Sequence, residues 1–190
     1  MKRIGFSGVP SSGKSTLARA LAANLFGKRI ELVPEYARRY INKYGFRSLH
    51  DQFRILHKQL DWEDSVPQDK TEAILSEAPI FNGFAYATID LPKDEYEVMV
   101  QNDLFKLMNK LNCPQRYDVV FHLLPTIKPV DDGTRSACQL TDEWREMMDN
   151  RIRAVYTIFP PRNFVQINSL SLEERVAECK EHIARLNLLS

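Results

Sequence analysis

The sequence has little of what marks a secreted, metal-binding or membrane protein. Its three cysteines, Cys113, Cys138 and Cys179, are widely spaced and form no C-x-x-C pair, so we expect reduced thiols in a cytoplasmic protein. The four histidines form no recognisable ligand cluster, and no apolar run approaches the length of a membrane-spanning helix. The formal net charge of +1 gives no general argument for a nucleic-acid or membrane partner.

The rest of the composition is that of an ordinary globular protein. Of the 190 residues, 44% are hydrophobic and 27% are charged, which suits one domain with a sizeable core. No internal repeat or low-complexity segment divides the chain. We therefore expect a single domain over residues 1–190.

A phosphate-binding motif of the form G-x-x-x-x-G-K-[ST] lies so close to the first residue that we expect no signal peptide before it. It reads Gly8-Val9-Pro10-Ser11-Ser12-Gly13-Lys14-Ser15, and Thr16 follows. Glycine and small residues let the backbone N–H groups turn inward around a phosphate, Lys14 can reach the β and γ oxygens, and the Ser15 hydroxyl can bind Mg²⁺. The motif lies between an apolar strand and an amphipathic helix, whose N-terminal dipole faces the anion. We predict that ATP and Mg²⁺ bind here, with contacts from Gly8, Ser11, Ser12, Gly13, Lys14, Ser15 and Thr16.

Hydrophobic periodicity predicts an alternation of strands and helices along the chain. The predicted strands are Lys2–Ser7, Arg29–Val33, Thr71–Ser76, Tyr117–Leu124 and Asn163–Ile167. The predicted helices are Lys14–Phe26, Glu35–Tyr44, a helix opened by a capping box at Ser48, Ile80–Ile89, Asp94–Leu111, a long helix capped by Thr141, and Ser171–Leu188. Strands separated by helices imply an α/β fold with a five-stranded parallel sheet flanked by helices. The charged segment at about 127–139 is expected to form a lid.

Two acidic residues follow strands whose carboxyl ends should meet at the same crevice as the phosphate-binding motif. Glu35 is the candidate base that accepts the proton of a hydroxyl acceptor, and Glu77 is the candidate metal carboxylate beside Ser15. Alternatives stay open for both. Glu35 could instead have no role beyond stabilising the dipole of its own helix, and Ser76 could replace Glu77 near the metal.

Arginines form a second group of candidates. One of Arg38 and Arg39 is expected to face the crevice and the other solvent, with Arg38 as the candidate. Arg135 is expected to reach the developing charge from the lid, because a guanidinium donates in pairs to phosphate. The stretch from Arg38 to Lys58 holds six Lys and Arg residues and the single acid Asp51, and is either a solvated face or a site for an anionic acceptor. Three arginines of the long helix after the lid are interpreted mostly as helix-surface pairs: Arg145, Arg151 and Arg153.

Three of these features together resemble the P-loop kinases of nucleoside and nucleotide metabolism. They are the motif at 8–16, the segment Val33-Pro34-Glu35-Tyr36-Ala37-Arg38, and Asp132-Gly133-x-Arg135 before the long helix. The chain is most similar to the small AAA-type ATPase/kinase group, which includes the kinase domain of ribosylnicotinamide kinases and many phage kinases. This resemblance implies a P-loop NTPase fold and, by likeness to deoxyribonucleoside kinases, the role of base for Glu35. The chain departs from many relatives at Glu77-Ala78-Pro79, where they carry Asp-Arg or Asp-Thr.

Three functions remain open at this point. A base at Glu35 favours an ATP-dependent kinase with a free nucleoside as acceptor, and the basic stretch favours a nucleotide acceptor that already carries phosphate. A hydroxyl of a modified base or sugar in DNA would satisfy both signals. A P-loop NTPase switch without an acceptor is the third, although the chain lacks an obvious Asp-Glu hydrolysis pair. No membrane partner is expected, and the apolar residues at 80–111 suit core packing or a homodimer face.

Overall fold

The computed structural model describes residues 1–25, 27–45, 49–89, 93–113, 115–129, 139 and 141–189. These residues form five strands and seven helices, with one or two helices between successive strands. The strands are β1 (Lys2–Ser7), β2 (Ile30–Val33), β3 (Ala73–Ser76), β4 (Val119–Leu123) and β5 (Phe164–Ile167). The helices are α1 (Lys14–Asn24), α2 (Tyr36–Tyr44), α3 (Leu49–Asp64), α4 (Ile80–Ala87), α5 (Glu95–Leu111), α6 (Asp142–Ile158) and α7 (Leu172–Arg185).

The strands form one all-parallel sheet in the order β2-β3-β1-β4-β5, which confirms the predicted five-stranded α/β architecture. β1 is central and fully paired, with Gly5 opposite Ser76 of β3 and Ser7 opposite His122 of β4. Because all strands point the same way, their carboxyl ends meet at one edge of the sheet. The segment after β1, which contains the phosphate-binding motif, therefore starts in the middle of that edge.

Each face of the sheet is covered by its own apolar core. On one face, the sheet packs against α1 and α7, with Leu17, Leu21 and Cys179 fully buried. On the other face, α3, α4, α5 and α6 enclose a core in which Phe81 stacks on Phe159 at 5.6 Å between ring centroids. Full burial of such a side chain contributes about 1.5–3 kcal/mol, so these two cores hold the helices on the sheet.

Helix ends agree with the local sequence signals. The Thr141 hydroxyl accepts a hydrogen bond from the Trp144 N–H, which confirms the predicted N-cap of α6. Ser171 and Glu174 form a capping box at the start of α7. Glu35 precedes α2 as its N-cap residue and is not its first helical residue. The capping box predicted at Ser48 lies outside the described residues.

Several other predictions can be compared with the described part of the chain. None of the described helices combines the length and the apolar character that a membrane crossing requires. Cys113 and Cys179 carry free thiols, and Cys138 lies outside the described residues. Among the described apolar residues of 80–111, eight are buried, but Tyr96, Val98, Met99 and Phe105 of α5 are exposed. A homodimer face on this helix stays a prediction.

Candidate active site

The phosphate-binding motif forms a tight loop between β1 and α1. Gly8 has a φ of 136° and Gly13 a φ of 92°, a region of backbone conformation that residues with a Cβ rarely adopt. A Cβ on Gly8 would also lie 2.5 Å from the Leu123 carbonyl oxygen and 2.8 Å from Ser12 Oγ. Glycine at position 8 is therefore required by both conformation and space.

The loop leaves donors available for an anion. Helix α1 begins at Lys14 with no side-chain cap at Gly13 and no acidic residue in its first turn, so the positive end of its dipole is not compensated there. Lys14 Nζ donates to the carbonyl oxygens of Gly8 and Val9 at 2.9 and 2.8 Å. Ser12 Oγ is buried and has no hydrogen-bond partner among the residues that the structure describes. This orphaned hydroxyl and the uncapped helix fit the phosphate chain of a nucleotide.

A cavity of about 800 Å³ extends from this loop. Its volume lies within the range of small-molecule binding sites. Eight of the residues singled out from the sequence line it: Gly8, Ser11, Gly13, Lys14, Ser15, Thr16, Glu35 and Arg38. Ser12 lies behind the lining and is fully buried. Arg135, like most of the predicted lid, lies outside the described residues, whereas Ile127, Lys128 and Gln139 line the cavity.

Glu35 enters the cavity from the N-terminus of α2. Its carboxylate lies 3.6 Å from the Arg38 guanidinium, one helical turn further on. The backbone on either side of Glu35 is held by Gln59 of α3, which accepts from the Tyr36 N–H at 2.9 Å and donates to the Pro34 carbonyl at 3.2 Å. Gln59 is itself buried, so this contact fixes the position of the Glu35 backbone.

Glu77 is placed differently. Its side chain is 3% exposed, is not part of the cavity lining, and forms an ion pair with Arg19 of α1 (Nε–Oε1 3.2 Å). Arg19 lies one helical turn beyond Ser15, so Glu77 reaches the same face of α1 as the predicted metal-binding hydroxyl. Among the described residues no group of three or more His, Cys, Asp or Glu side chains is arranged to hold a metal ion. Besides the Ser15 hydroxyl, a Mg²⁺ ion here would take its ligands from phosphate oxygens and water, as is usual for Mg²⁺ at nucleotide sites.

A buried carboxylate fixes the segment that connects β3 to α4. Glu63 accepts hydrogen bonds from Ser76 Oγ at 2.7 Å and from the Tyr117 hydroxyl at 2.8 Å, and it pairs with Arg116 at 3.1 Å. The Tyr117 hydroxyl also accepts from the Ile80 N–H, at the first residue of α4. Burial raises the pKa of Glu63, while the Arg116 charge opposes that rise. The ends of this connection are therefore tied to α3 and to Tyr117, two residues before β4.

The basic stretch at 38–58 is largely paired within its own helices. Arg38 pairs with Glu35, Arg54 with Asp51, and Lys58 with Asp61. Arg39 lies over the Trp62 ring and Lys43 over the Tyr44 ring. Arg47 lies outside the described residues. These contacts weaken the argument for an extended anion-binding surface.

Two arginines of α6 and α7, Arg145 and Arg175, are buried, and Arg175 also lines the cavity. Arg145 pairs with Asp142 of its own helix at 3.8 Å, as predicted, but it is 2% exposed rather than on the surface, and it also donates to the Ile127 carbonyl at 2.8 Å. Arg175 is buried and donates to the Ser12 carbonyl at 3.0 Å and to Thr126 Oγ1 at 3.2 Å. It thus joins the phosphate-binding loop to the start of the predicted lid. In the sequence, Arg175 lies next to the apolar face of α7, and this position could have indicated that its side chain is buried.

A chain of buried polar side chains lies directly beneath the loop. Ser7 donates to Asn82 Oδ1 at 2.9 Å, and the Tyr156 hydroxyl donates to the same oxygen at 2.8 Å. His122 lies between Ser7 and Asp149, with ring nitrogens 3.3 Å from Ser7 Oγ and 3.0 Å from Asp149 Oδ1. Asn82 lines the cavity, so this chain connects the cavity floor to β4 and α6.

Comparison with known proteins agrees with this geometry. The family model described as an AAA domain matches residues 3–175. A crystal structure of the NadR protein in complex with NR superposes with a TM-score of 0.78 at 20% identity, covering 100% of this chain and 52% of that chain. The chain thus spans about half the length of the NadR chain. No curated protein matches the sequence significantly.

Two smaller kinases share the fold over nearly their whole length. Deoxyadenosine kinase from M. mycoides with bound dATP superposes with a TM-score of 0.62 at 17% identity, covering 97% of this chain and 100% of that chain. Thymidylate kinase from Candida albicans superposes with a TM-score of 0.63 at 15% identity, covering 98% and 92%. The fold is that of P-loop nucleoside and nucleotide kinases, as the resemblance implied.

Proposed function

The chain belongs to the AAA domain family, and on that premise we propose that it is an ATP- and Mg²⁺-dependent kinase with a free nucleoside or nucleotide as acceptor. The observation that carries this proposal is that one cavity is lined both by the phosphate-binding loop and by the Glu35 carboxylate. A phosphoryl donor and a group able to accept a proton therefore share one site.

The donor half of the proposed reaction uses the loop at 8–16. The α- and β-phosphates would take the N–H groups at the start of α1, and Lys14 would turn from its carbonyl partners to the β and γ oxygens. Ser15 would hold Mg²⁺, with Glu77 acting through water after its pair with Arg19 opens. Bound Mg²⁺ supplies neutralisation of the phosphate charge.

The acceptor half uses α2. Glu35 would accept the proton from the acceptor hydroxyl as the oxygen attacks the γ-phosphorus. Arg38, 3.6 Å from that carboxylate, would face the transferring phosphate. We further propose one domain over residues 1–190, a lid at about 127–139 that carries Arg135 over the nucleotide, and a cytoplasmic location, in keeping with the free thiols.

The relatives support a small acceptor. NadR is crystallised with NR and deoxyadenosine kinase with dATP, although identities of 20% and 17% show a common fold alone. The DNA alternative rested on the basic stretch, and the described cations of that stretch have local partners. A free nucleoside or nucleotide is therefore the preferred acceptor.

The test is ATP consumption with Mg²⁺, measured without an acceptor and with panels of nucleosides, nucleotides and oligonucleotides. We expect consumption that depends on a free nucleoside or nucleotide and changes little with salt. Activity on oligonucleotides alone, with a steep loss as salt rises, would instead support the DNA alternative. Consumption that no acceptor changes would support an NTPase switch.

A further inference from the structure

Asn82 of α4 lies between the two halves of the proposed reaction. It follows β3, and in the sheet this strand lies between β2, which leads to Glu35, and β1, which leads to the phosphate-binding loop. Its side chain contacts Ser7, the residue directly before Gly8. A phosphoryl group that passes from the loop to an acceptor beside Glu35 therefore passes the segment that carries Asn82.

The oxygen of the Asn82 amide is fully engaged within the protein. It accepts two hydrogen bonds, from Ser7 Oγ at 2.9 Å and from the Tyr156 hydroxyl at 2.8 Å. These two donors use both lone pairs of the oxygen. Ser7 and Tyr156 are themselves buried and do not line the cavity. The orientation of the amide is therefore fixed from beneath the cavity floor.

The nitrogen of the same amide has no such partner. Asn82 Nδ2 makes no hydrogen bond to any residue that the structure describes, although the side chain is only 6% exposed. Because Asn82 lines the cavity and Nδ2 is not among the fully enclosed polar atoms, the amide offers its two hydrogens to the cavity. A buried donor without an acceptor loses hydration without compensation, so this position favours a ligand that accepts hydrogen bonds.

The surroundings favour an acceptor that carries negative charge. Helix α4 begins at Ile80 with no side-chain cap and no acidic residue in its first turn, and α1 begins in the same way at Lys14. Both of these first residues line the cavity. The positive ends of two helix dipoles and the Lys14 ammonium group thus act on the same space. A phosphoryl oxygen suits such a place better than a neutral hydroxyl group does.

We propose that Asn82 is a further catalytic residue, whose Nδ2 donates a hydrogen bond to an oxygen of the phosphoryl group as this group moves from ATP to the acceptor. This inference rests on the proposed kinase function. A donor that is already fixed in place stabilises the charge on the phosphoryl oxygens without having to reorient during the reaction. Ser7 and Tyr156 are positioning residues, because they act through the amide.

The test replaces Asn82 in two ways. Asn82→Asp keeps an oxygen that can accept from Ser7 and Tyr156 and changes only the atom that faces the cavity, whereas Asn82→Leu has a similar volume and no donor. In both, kcat for the best acceptor of the panel should fall on the order of 100- to 1000-fold, while the KM values for ATP and acceptor change less than about tenfold. Asn102→Asp, at an exposed position of α5, is the matched control and should behave like the wild type.

A double-mutant cycle tests how the amide is positioned. Tyr156→Phe removes one of the two hydrogen bonds to Oδ1 and should lower kcat about three- to tenfold in the wild-type background. In the Asn82→Leu background it should lower kcat no further, because the amide that Tyr156 positions is already absent. Losses that multiply in the double variant would overturn the positioning role of Tyr156.

A wild-type kcat in both Asn82 variants, or a loss confined to the KM values, would overturn the catalytic role of Asn82 while leaving the kinase function intact. A wild type that phosphorylates no member of the panel would overturn both. Because the two replacements differ in charge and polarity, a folding defect in one, seen as a lowered Tm, leaves the other to decide.

Discussion

Replacing Gln59 with leucine tests whether the position of Glu35 matters for transfer. Gln59 is 4% exposed and joins α3 to the backbone on both sides of Glu35, with hydrogen bonds of 2.9 and 3.2 Å. Leucine has a similar volume and makes neither bond. The change therefore removes the support of Glu35 without touching its carboxylate.

The expected magnitudes follow from those two contacts. Each neutral hydrogen bond contributes about 0.5–1.5 kcal/mol, so the free energy of unfolding should fall by about 1–3 kcal/mol. A catalytic group that moves by about 1 Å can lose on the order of 100-fold in rate, so kcat should fall about 10- to 100-fold. Among the described hydrogen bonds, none joins Gln59 to the loop at 8–16, so the KM for ATP should stay unchanged.

The assay is steady-state transfer to the best acceptor, together with urea unfolding of both proteins. A Gln59→Leu protein that keeps the wild-type kcat, while losing the expected stability, would refute the positioning of Glu35 by this contact. A fall in kcat matched by an equal rise in the KM for ATP would instead indicate damage to the whole site.

Three further predictions follow from single contacts. Gly8→Ala should weaken ATP binding at least about tenfold by calorimetry, because its Cβ meets the Leu123 carbonyl, whereas Gly27→Ala, with φ 77° and open space, should cost only about 1 kcal/mol and bind ATP normally. Glu35→Gln should lower kcat at least about 100-fold while the Kd for ATP stays nearly unchanged; an unchanged kcat would exclude the base role. The Ser171 backbone N–H lowers the pKa of Glu174, so its contribution to stability is present above the ordinary glutamate pKa and is lost as pH falls through the folded value. Urea unfolding of wild type and Glu174→Gln should therefore converge towards low pH, and a constant difference would contradict this.

The fold was predictable because its signals are local. The phosphate-binding motif, the Thr141 cap and the alternation of strands and helices each depend on residues close together in the chain. The order β2-β3-β1-β4-β5 then places the segments after β1, β2 and β3 at one edge of the sheet. This is why Lys14 and Glu35 line one cavity.

The polar residues of the site were harder to predict because their partners are remote in sequence. Arg175 contacts Ser12, which lies 163 residues away along the chain. Gln52 and Gln59 share the inward face of α3 with Leu56, and a polar residue on such a face was the available signal. Glu77 follows β3, as predicted, but its ion pair with Arg19 depends on how α1 packs on the sheet. That pair could not be predicted from the spacing of residues in the sequence.

The measurement that tests the central claim most directly is the fate of the γ-phosphate. The wild-type protein is incubated with Mg²⁺, γ-labelled ATP and the panel of free nucleosides and nucleotides, and the products are separated. We predict that the label appears on one class of acceptor, in amounts equal to the ADP formed. Label found only as inorganic phosphate, at a rate that no acceptor changes, would contradict the assignment of this cavity as a phosphoryl-transfer site.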